Sequence, residues 1–245
     1  MKLHGLLTVG LAFVLTTLAA GPCRAAAAAG ESASADDILQ AHVEASGGSA
    51  NLARIQNRTT ESKLSMGWLS ASLKSTLVQP NLFLDEASML AASSSSGYDG
   101  HTGWKRDGSK IEALQGNELA RTLRGHSLDW HLKLPSWYPQ RKRLPDAELE
   151  GTPVHVLELT ASTGEKEIWR LDAGSGLLLQ VEGFAFEKDK PPVKAFTTFS
   201  DYRKIDGVVL PYKTTISDGK RTFTVVVQSL KHNLAVTPPR LPAKE

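Results

Sequence analysis

The hydrophobic period of this chain changes near residue 59. Before that point the spacing is helical. Ile38, Leu39, His42 and Val43 fall on one stripe, and the small Ala45 and Ser46 lie beside it one turn on. Ser34 is placed to cap this helix. Asp36 and Asp37 sit in its first turn, where acids complement the positive end of the helix dipole. Gly47-Gly48 predicts its end, and Ser49 opens a second short turn carrying Leu52 and Ile55.

From Thr59 onward the pattern reads as strands. Thr59–Met66, Leu69–Val78 and Leu82–Leu90 have strand lengths and partial alternation, and their Ser and Thr content suits a sheet with one wetted face. The serine run Ser93 to Ser96 reads as a loop. Tyr98-Asp99-Gly100 and Asp107-Gly108 flank Trp104 and predict short strands with tight turns. Asn117 is placed to cap a helix, Glu118 to Arg124, ended by Gly125. The stretch Leu128 to Leu144 carries Trp130, Leu132, Leu134, Trp137, Tyr138 and the triplet Arg141-Lys142-Arg143, and it reads as a loop-and-helix layer over a sheet. The last third predicts six strands: Val154–Leu159, Glu167–Leu171, Leu177–Phe186, Lys194–Tyr202, Val208–Ser217 and Thr222–Leu230. Asp206-Gly207 and Asp218-Gly219 are strong hairpin signals, so these strands form an antiparallel meander. No linker divides the chain, and a single domain is expected over 36–245.

The N-terminus changes the charge picture. Lys2, an apolar run from Leu6 to Ala20 and the small-residue stretch ending at Ala25 predict a secretory signal peptide over 1–25, followed by a flexible segment over 26–35. The alternative is an uncleaved anchor. The whole chain has 28 basic and 26 acidic residues. Cleavage after Ala25 removes Lys2, Arg24 and the only cysteine, and leaves 26 against 26. A balanced exported chain argues against nucleic acid as a partner, and its stability must come from the core without disulfides. Cys23 follows Pro22 in a context that otherwise resembles a lipoprotein signal, so a lipid anchor stays open.

Catalytic chemistry is thin. The chain has no G-x-S-x-G elbow, no phosphate-binding loop and no cysteine beyond Cys23. His126, Asp129 and His131 form the one local cluster of metal-ligating types, but their spacing matches no zinc signature. The basic triplet Arg141 to Arg143 could face lipid phosphates or solvent. The five tryptophans are either core or the wall of an apolar pocket, depending on how closely helices cover the sheet.

Several passages resemble the LolA/LolB-like superfamily, which includes periplasmic outer-membrane lipoprotein-sorting proteins. They are Asp36-Asp37-Ile38-Leu39 through Gly47-Gly48 to Ile55; Tyr98 to Trp104; Leu157-Glu158-Leu159 with Trp169-Arg170-Leu171-Asp172 and Gly176-Leu177-Leu178-Leu179; and, most specifically, Asp201-Tyr202-Arg203-Lys204-Ile205-Asp206-Gly207-Val208-Val209-Leu210-Pro211. A closing strand ends at Leu230-Lys231-His232-Asn233, before a proline-rich tail.

The resemblance implies an α+β fold: an incomplete antiparallel β-barrel of about eleven strands, with helices covering the concave face. It implies a periplasmic, non-catalytic carrier or chaperone for a lipid or an acylated lipoprotein, with no cofactor and with an inner- or outer-membrane protein as a possible partner. Trp68, Phe83, Trp104, Trp130, Phe184 and Phe223 are the expected cavity residues, and Asn117–Tyr138 the expected lid. The other readings are an envelope module that senses a protein partner, a lipid-anchored acceptor of the LolB kind, which requires lipidated Cys23, and a metal enzyme built on His126, Asp129 and His131.

Overall fold

The computed structural model describes residues 33–90, 92–185 and 191–240. The expected signal peptide, Cys23 and most of the segment 26–35 lie outside the described residues. No helix among the described residues is long and apolar enough to cross a membrane.

Two helices open the chain, α1 (Ala35–Ala45) and α2 (Gly48–Ala53). Ser34 accepts from the Asp37 backbone while the Asp37 carboxylate accepts from the Ser34 backbone, a reciprocal capping box that fixes where α1 starts. Six strands follow: β1 (Asn57–Met66), β2 (Leu69–Val78), β3 (Leu82–Met89), β4 (Ala92–Tyr98), β5 (Gly103–Asp107) and β6 (Lys110–Leu114). Then come α3 (Gly116–Gly125) and α4 (Trp130–Trp137). The chain finishes with β7 (Gln140–Leu149), β8 (Thr152–Thr160), β9 (Lys166–Asp172), β10 (Leu178–Ala185), β11 (Val193–Ile205), β12 (Val208–Ser217) and β13 (Thr222–His232).

All thirteen strands join one sheet in the order β6-β5-β4-β3-β2-β1-β13-β12-β11-β10-β9-β8-β7. Every neighbouring pair is antiparallel. β6 and β7 are free edges, so the barrel is incomplete, as the resemblance implies. The long-range step is β1 against β13, which unites the two meanders.

Two strands exceed the expected eleven. β4 contains the serine run that reads as a loop. Its backbone pairs with β3 and β5 while Ser94 and Ser96 are buried, so hydrogen-bonded ladders hold it without large side chains. β7 contains the basic triplet. It is an edge strand, and its register shifts between Leu144 and Ala147, which accommodates Pro145 where a ladder bond would otherwise be lost. Arg141 binds Asp36 and the Tyr138 carbonyl, and Arg143 binds Asp146 and the Ala33 carbonyl. The triplet therefore ties α1 and α4 to the sheet edge. α3 also differs from expectation: Gln115 occupies its N-cap, with no side-chain cap bond, in place of Asn117.

The core lies between the helices and the concave face. In one cluster, Ile38, Leu39, Leu134 and Tyr138 pack on Leu157, Leu159, Trp169, Leu171, Leu178 and Val181. In the other, Val43, Leu52 and Ile55 pack on Leu77, Phe83, Val208, Leu210, Tyr212 and Leu230. The α1–α2 corner is seated on the β11–β12 hairpin. Val209 N–H donates to the Ser46 carbonyl at 2.9 Å, and Gly47 lies directly on Gly207 and Val208. The glycine pair and the Asp206-Gly207 turn, far apart in sequence, thus form one joint.

Candidate functional site

A cavity of about 490 Å³ lies between the two core clusters. α1 contributes His42 with the adjoining Ser46, α3 contributes Arg121, Arg124 and Gly125, and α4 contributes Trp130, His131 and Trp137, followed by Tyr138. The sheet supplies Arg58 and Thr60 from β1, Glu167 and Trp169 from β9, and Leu178 and Val181 from β10. It also supplies Thr197, Phe199 and Tyr202 from β11, Val209, Leu210, Pro211 and Ile216 from β12, and Val227 and Leu230 from β13. This volume is within the usual range for small-molecule sites of roughly 300–1,000 Å³. A larger concavity of about 1180 Å³ lies against β1–β4, but Ser, Lys and Glu side chains dominate its lining. Its lining is more polar than that of the first cavity.

The wall carries an aromatic and histidine cluster. Trp130 stacks on His131 at 3.6 Å and meets Trp169 edge-on at 5.8 Å. His42 lies 5.3 Å from the His131 ring and 5.7 Å from that of Trp130. His42 Nδ1–H donates to the Gly176 carbonyl at 3.0 Å, which leaves Nε2 as a bare acceptor. His42 Nε2 and His131 Nδ1 have no hydrogen-bond partner among the described residues.

Burial holds both rings neutral. It lowers His42 to about 4, against a weaker opposing effect of the Gly176 bond. It also pushes His131 well down, assisted by the charges of His42 and Arg58. In the unfolded chain a histidine takes up its proton near pH 6.5. The His42 contribution to stability is therefore complete above pH 6.5 and is lost as pH falls towards 4. Over that window it amounts to about 3 kcal/mol. Urea denaturation at a series of pH values checks this. His42→Leu is expected to flatten the acid limb by about that amount, and an unchanged pH dependence in the variant contradicts it.

One carboxylate sits in the wall. Glu167 accepts from the Tyr138 hydroxyl at 2.7 Å and from Trp169 Nε1 at 2.8 Å, with Arg124 at 3.8 Å. Burial raises its carboxyl, and these donors offset only part of that effect. Arg121 pairs with Glu165 at 3.0 Å, and Arg124 lies 3.7 Å from the same carboxylate and over the Tyr138 ring. These contacts hold α3 to β9. α3 has no fully buried residue; Leu119 and Leu123 pack half-buried against the second core cluster, and these ion pairs add to that contact.

Of the six cavity residues expected from sequence, Trp130 lines this cavity and the other five do not. Trp68 stands at the β1–β2 turn, 89% exposed. Phe83 is fully buried in the core, stacked on His126 at 4.2 Å. Trp104 is 1% exposed, with its ring flat against Gly97 where a Cβ would clash at 2.6 Å. Phe184 is buried on β10 three residues from the cavity residue Val181, so alternation turns it to the opposite face. Phe223 pairs across strands with the cavity residue Ile216 but lies outside the wall.

The three metal-ligand types at His126, Asp129 and His131 do not converge. His126 Nε2 binds Asp85 at 2.6 Å, Asp129 binds Ser127 and Lys133, and His131 faces the cavity. Burial acts against both charges of the first pair. His126 nonetheless lies above its ordinary value and Asp85 below, because each charge stabilises the other. No group of three or more such ligands comes together among the described residues.

The wall residues that sequence reasoning missed include Trp137, Trp169, Phe199, Val181 and Arg58. On β9, Ile168 and Trp169 are both buried, on opposite faces. Each face mixes charge with apolar side chains, Lys166 and Arg170 beside Ile168 and Glu167 beside Trp169 and Leu171, which obscures which face looks inward. For the aromatics, a usable signal was Glu167-x-Trp169, a charge and a tryptophan sharing one strand face.

Comparison with known proteins bears on the fold. No family model matches the chain, and no curated protein matches it by sequence. Solved structures do. A DUF1329 family protein from Desulfovibrio piger superposes with a TM-score of 0.56 at 13% identity, covering 83% of this chain and 95% of that one. A domain assigned to outer membrane lipoprotein sorting from Vibrio parahaemolyticus gives 0.55 at 13%, over 83% and 95%. A LolA superfamily protein from Nitrosomonas europaea gives 0.55 at 12%, over 84% and 96%. The chain has a LolA-like fold: an open antiparallel barrel with helices over its concave face.

Proposed function

We propose that this chain is an exported periplasmic carrier that holds a lipid or an acylated ligand in the cavity and catalyses nothing. The carrying observation is the cavity itself, an apolar space between three helices and the concave sheet of a LolA-like fold. Its wall is rich in aromatic and branched side chains, and each methylene buried there contributes about 0.8 kcal/mol. A chain of modest length is held by burial alone.

Access follows from how the helices are fastened. α1 and α4 each fully bury side chains in the core, whereas α3 has only the half-buried Leu119 and Leu123 there, with Arg121 and Arg124 paired to Glu165 and Glu167. We assign the lid to α3, a narrower segment than Asn117–Tyr138. Lid elements come from the low-stability end of a structure, and α3 meets that condition.

Mass spectrometry of an organic extract tests the reading. Protein purified from a bacterial envelope is expected to release acyl lipid in about one-to-one ratio, and the delipidated protein to bind a fluorescent fatty acid or lipopeptide saturably. A delipidated, folded protein that binds neither refutes the reading.

A further inference from the structure

Arg58 sits near the start of β1, lines the cavity, and has no acidic partner among the described residues. Burial is the only influence acting on its guanidinium, and it lowers that group to about 10. The carboxylates paired with His126 and His232, and the one in the cavity wall, are committed elsewhere. Asp85 is bound to His126, Asp206 to His232, and Glu167 to Tyr138 and Trp169. The other two cavity guanidiniums, Arg121 and Arg124, face Glu165 and Glu167. The charge of Arg58 also depresses His126, His131 and His232, so the potential around it is positive. A desolvated cation without a counter-charge is costly to keep.

The strands beyond β1 carry much of the apolar wall. Leu210 on β12, Phe199 on β11, Val181 on β10 and Trp169 on β9 line the same space, and Trp130 on α4 meets Trp169 edge-on. The volume suits one chain better than several.

We infer that the cavity takes a single-chain amphiphile with an anionic head, a carboxylate or a phosphate monoester, and that Arg58 pairs with that head. The inference rests on the carrier reading and adds the ligand class. Guanidinium donors pair readily with carboxylate and phosphate, and the bond is stronger where water is scarce.

Titration of the delipidated chain with palmitate, 1-palmitoyl lysophosphatidic acid and hexadecanol tests this. At least one anionic probe is expected to bind wild type about 10- to 100-fold tighter than the alcohol. Arg58→Leu is expected to remove that preference while binding hexadecanol at least as well. A tighter fit for palmitate identifies a carboxylate head, and the reverse identifies phosphate. Equal wild-type affinity for the acids and the alcohol overturns the inference and leaves the carrier reading standing. So does a preference that survives in Arg58→Leu. Wild type that binds none of the three overturns both. Hexadecanol binding reports whether the variant is folded. If Arg58→Leu does not fold, Arg58→Gln takes its place in the same comparison.

Discussion

Thr197→Trp is expected to weaken acyl-chain binding about a hundredfold while leaving the fold intact. Thr197 lies in the floor of the cavity on β11, opposite Val181 on β10 and Ile216 on β12, and all three line the space. Tryptophan suits a strand, so the backbone has no reason to move. An indole in place of the small side chain takes the room of about four methylenes. At about 0.8 kcal/mol each, their loss is worth about 3 kcal/mol, or roughly two powers of ten in affinity. Fluorescent fatty-acid titration gives the affinity, and thermal melting shows whether the fold is kept. Binding within about threefold of wild type, in a folded variant, would mean that the chain sits elsewhere.

The second large effect is on stability. Gly47 has φ +120, and a Cβ there would lie 2.5 Å from the Gly207 carbonyl oxygen and 2.8 Å from the Val208 Cα. Both obstacles are backbone and cannot rotate away. Gly47→Ala therefore combines backbone strain with forced separation of the α1–α2 corner from the β11–β12 turn, at a cost of about 3 kcal/mol or more. For a domain of this size that lowers Tm by roughly 6–12 °C. Gly219 is the control. It also has positive φ, at +79, but nothing lies within 4 Å of its missing Cβ. Gly219→Ala is expected to cost about 1 kcal/mol of strain alone. Calorimetry that finds the two variants equally stable contradicts the docking account.

These joints explain what could be read from the chain. Local signals were sufficient for α1, because Ser34, Asp36 and Asp37 act within a single turn. The Asp206-Gly207 and Asp218-Gly219 turns were equally plain, since positive φ at the glycine belongs to the turn itself. β4 was not legible. Ser93 to Ser96 has loop composition, and only pairing with β3 and β5 makes it a strand. β7 was hidden in the same way: three basic residues and Pro145 suit an exposed edge, but the pairing with β8 is what defines it.

The cavity was legible as a type and poorly as a set of residues. Aromatic content pointed to an apolar wall, yet Trp68 and Trp169 look alike in sequence while one is solvent-exposed and the other is core. The difference lies in which strands curl under the helices, which is a property of the whole sheet. Arg58 was invisible for a related reason. An arginine becomes unusual only when its surroundings lack an acid, and those surroundings come from α3, α4, β9 and β13.

The most direct measurement is photo-crosslinking with a palmitate analogue that carries a diazirine near its methyl end, followed by peptide mapping. The account predicts labels on α4 and on β9 to β12, at residues such as Trp130, Trp169, Val181 and Phe199, with competition by unlabelled palmitate. Labels confined to the exposed hairpin tips at Trp68 and Leu90, or spread over the outer face and insensitive to competitor, would contradict it.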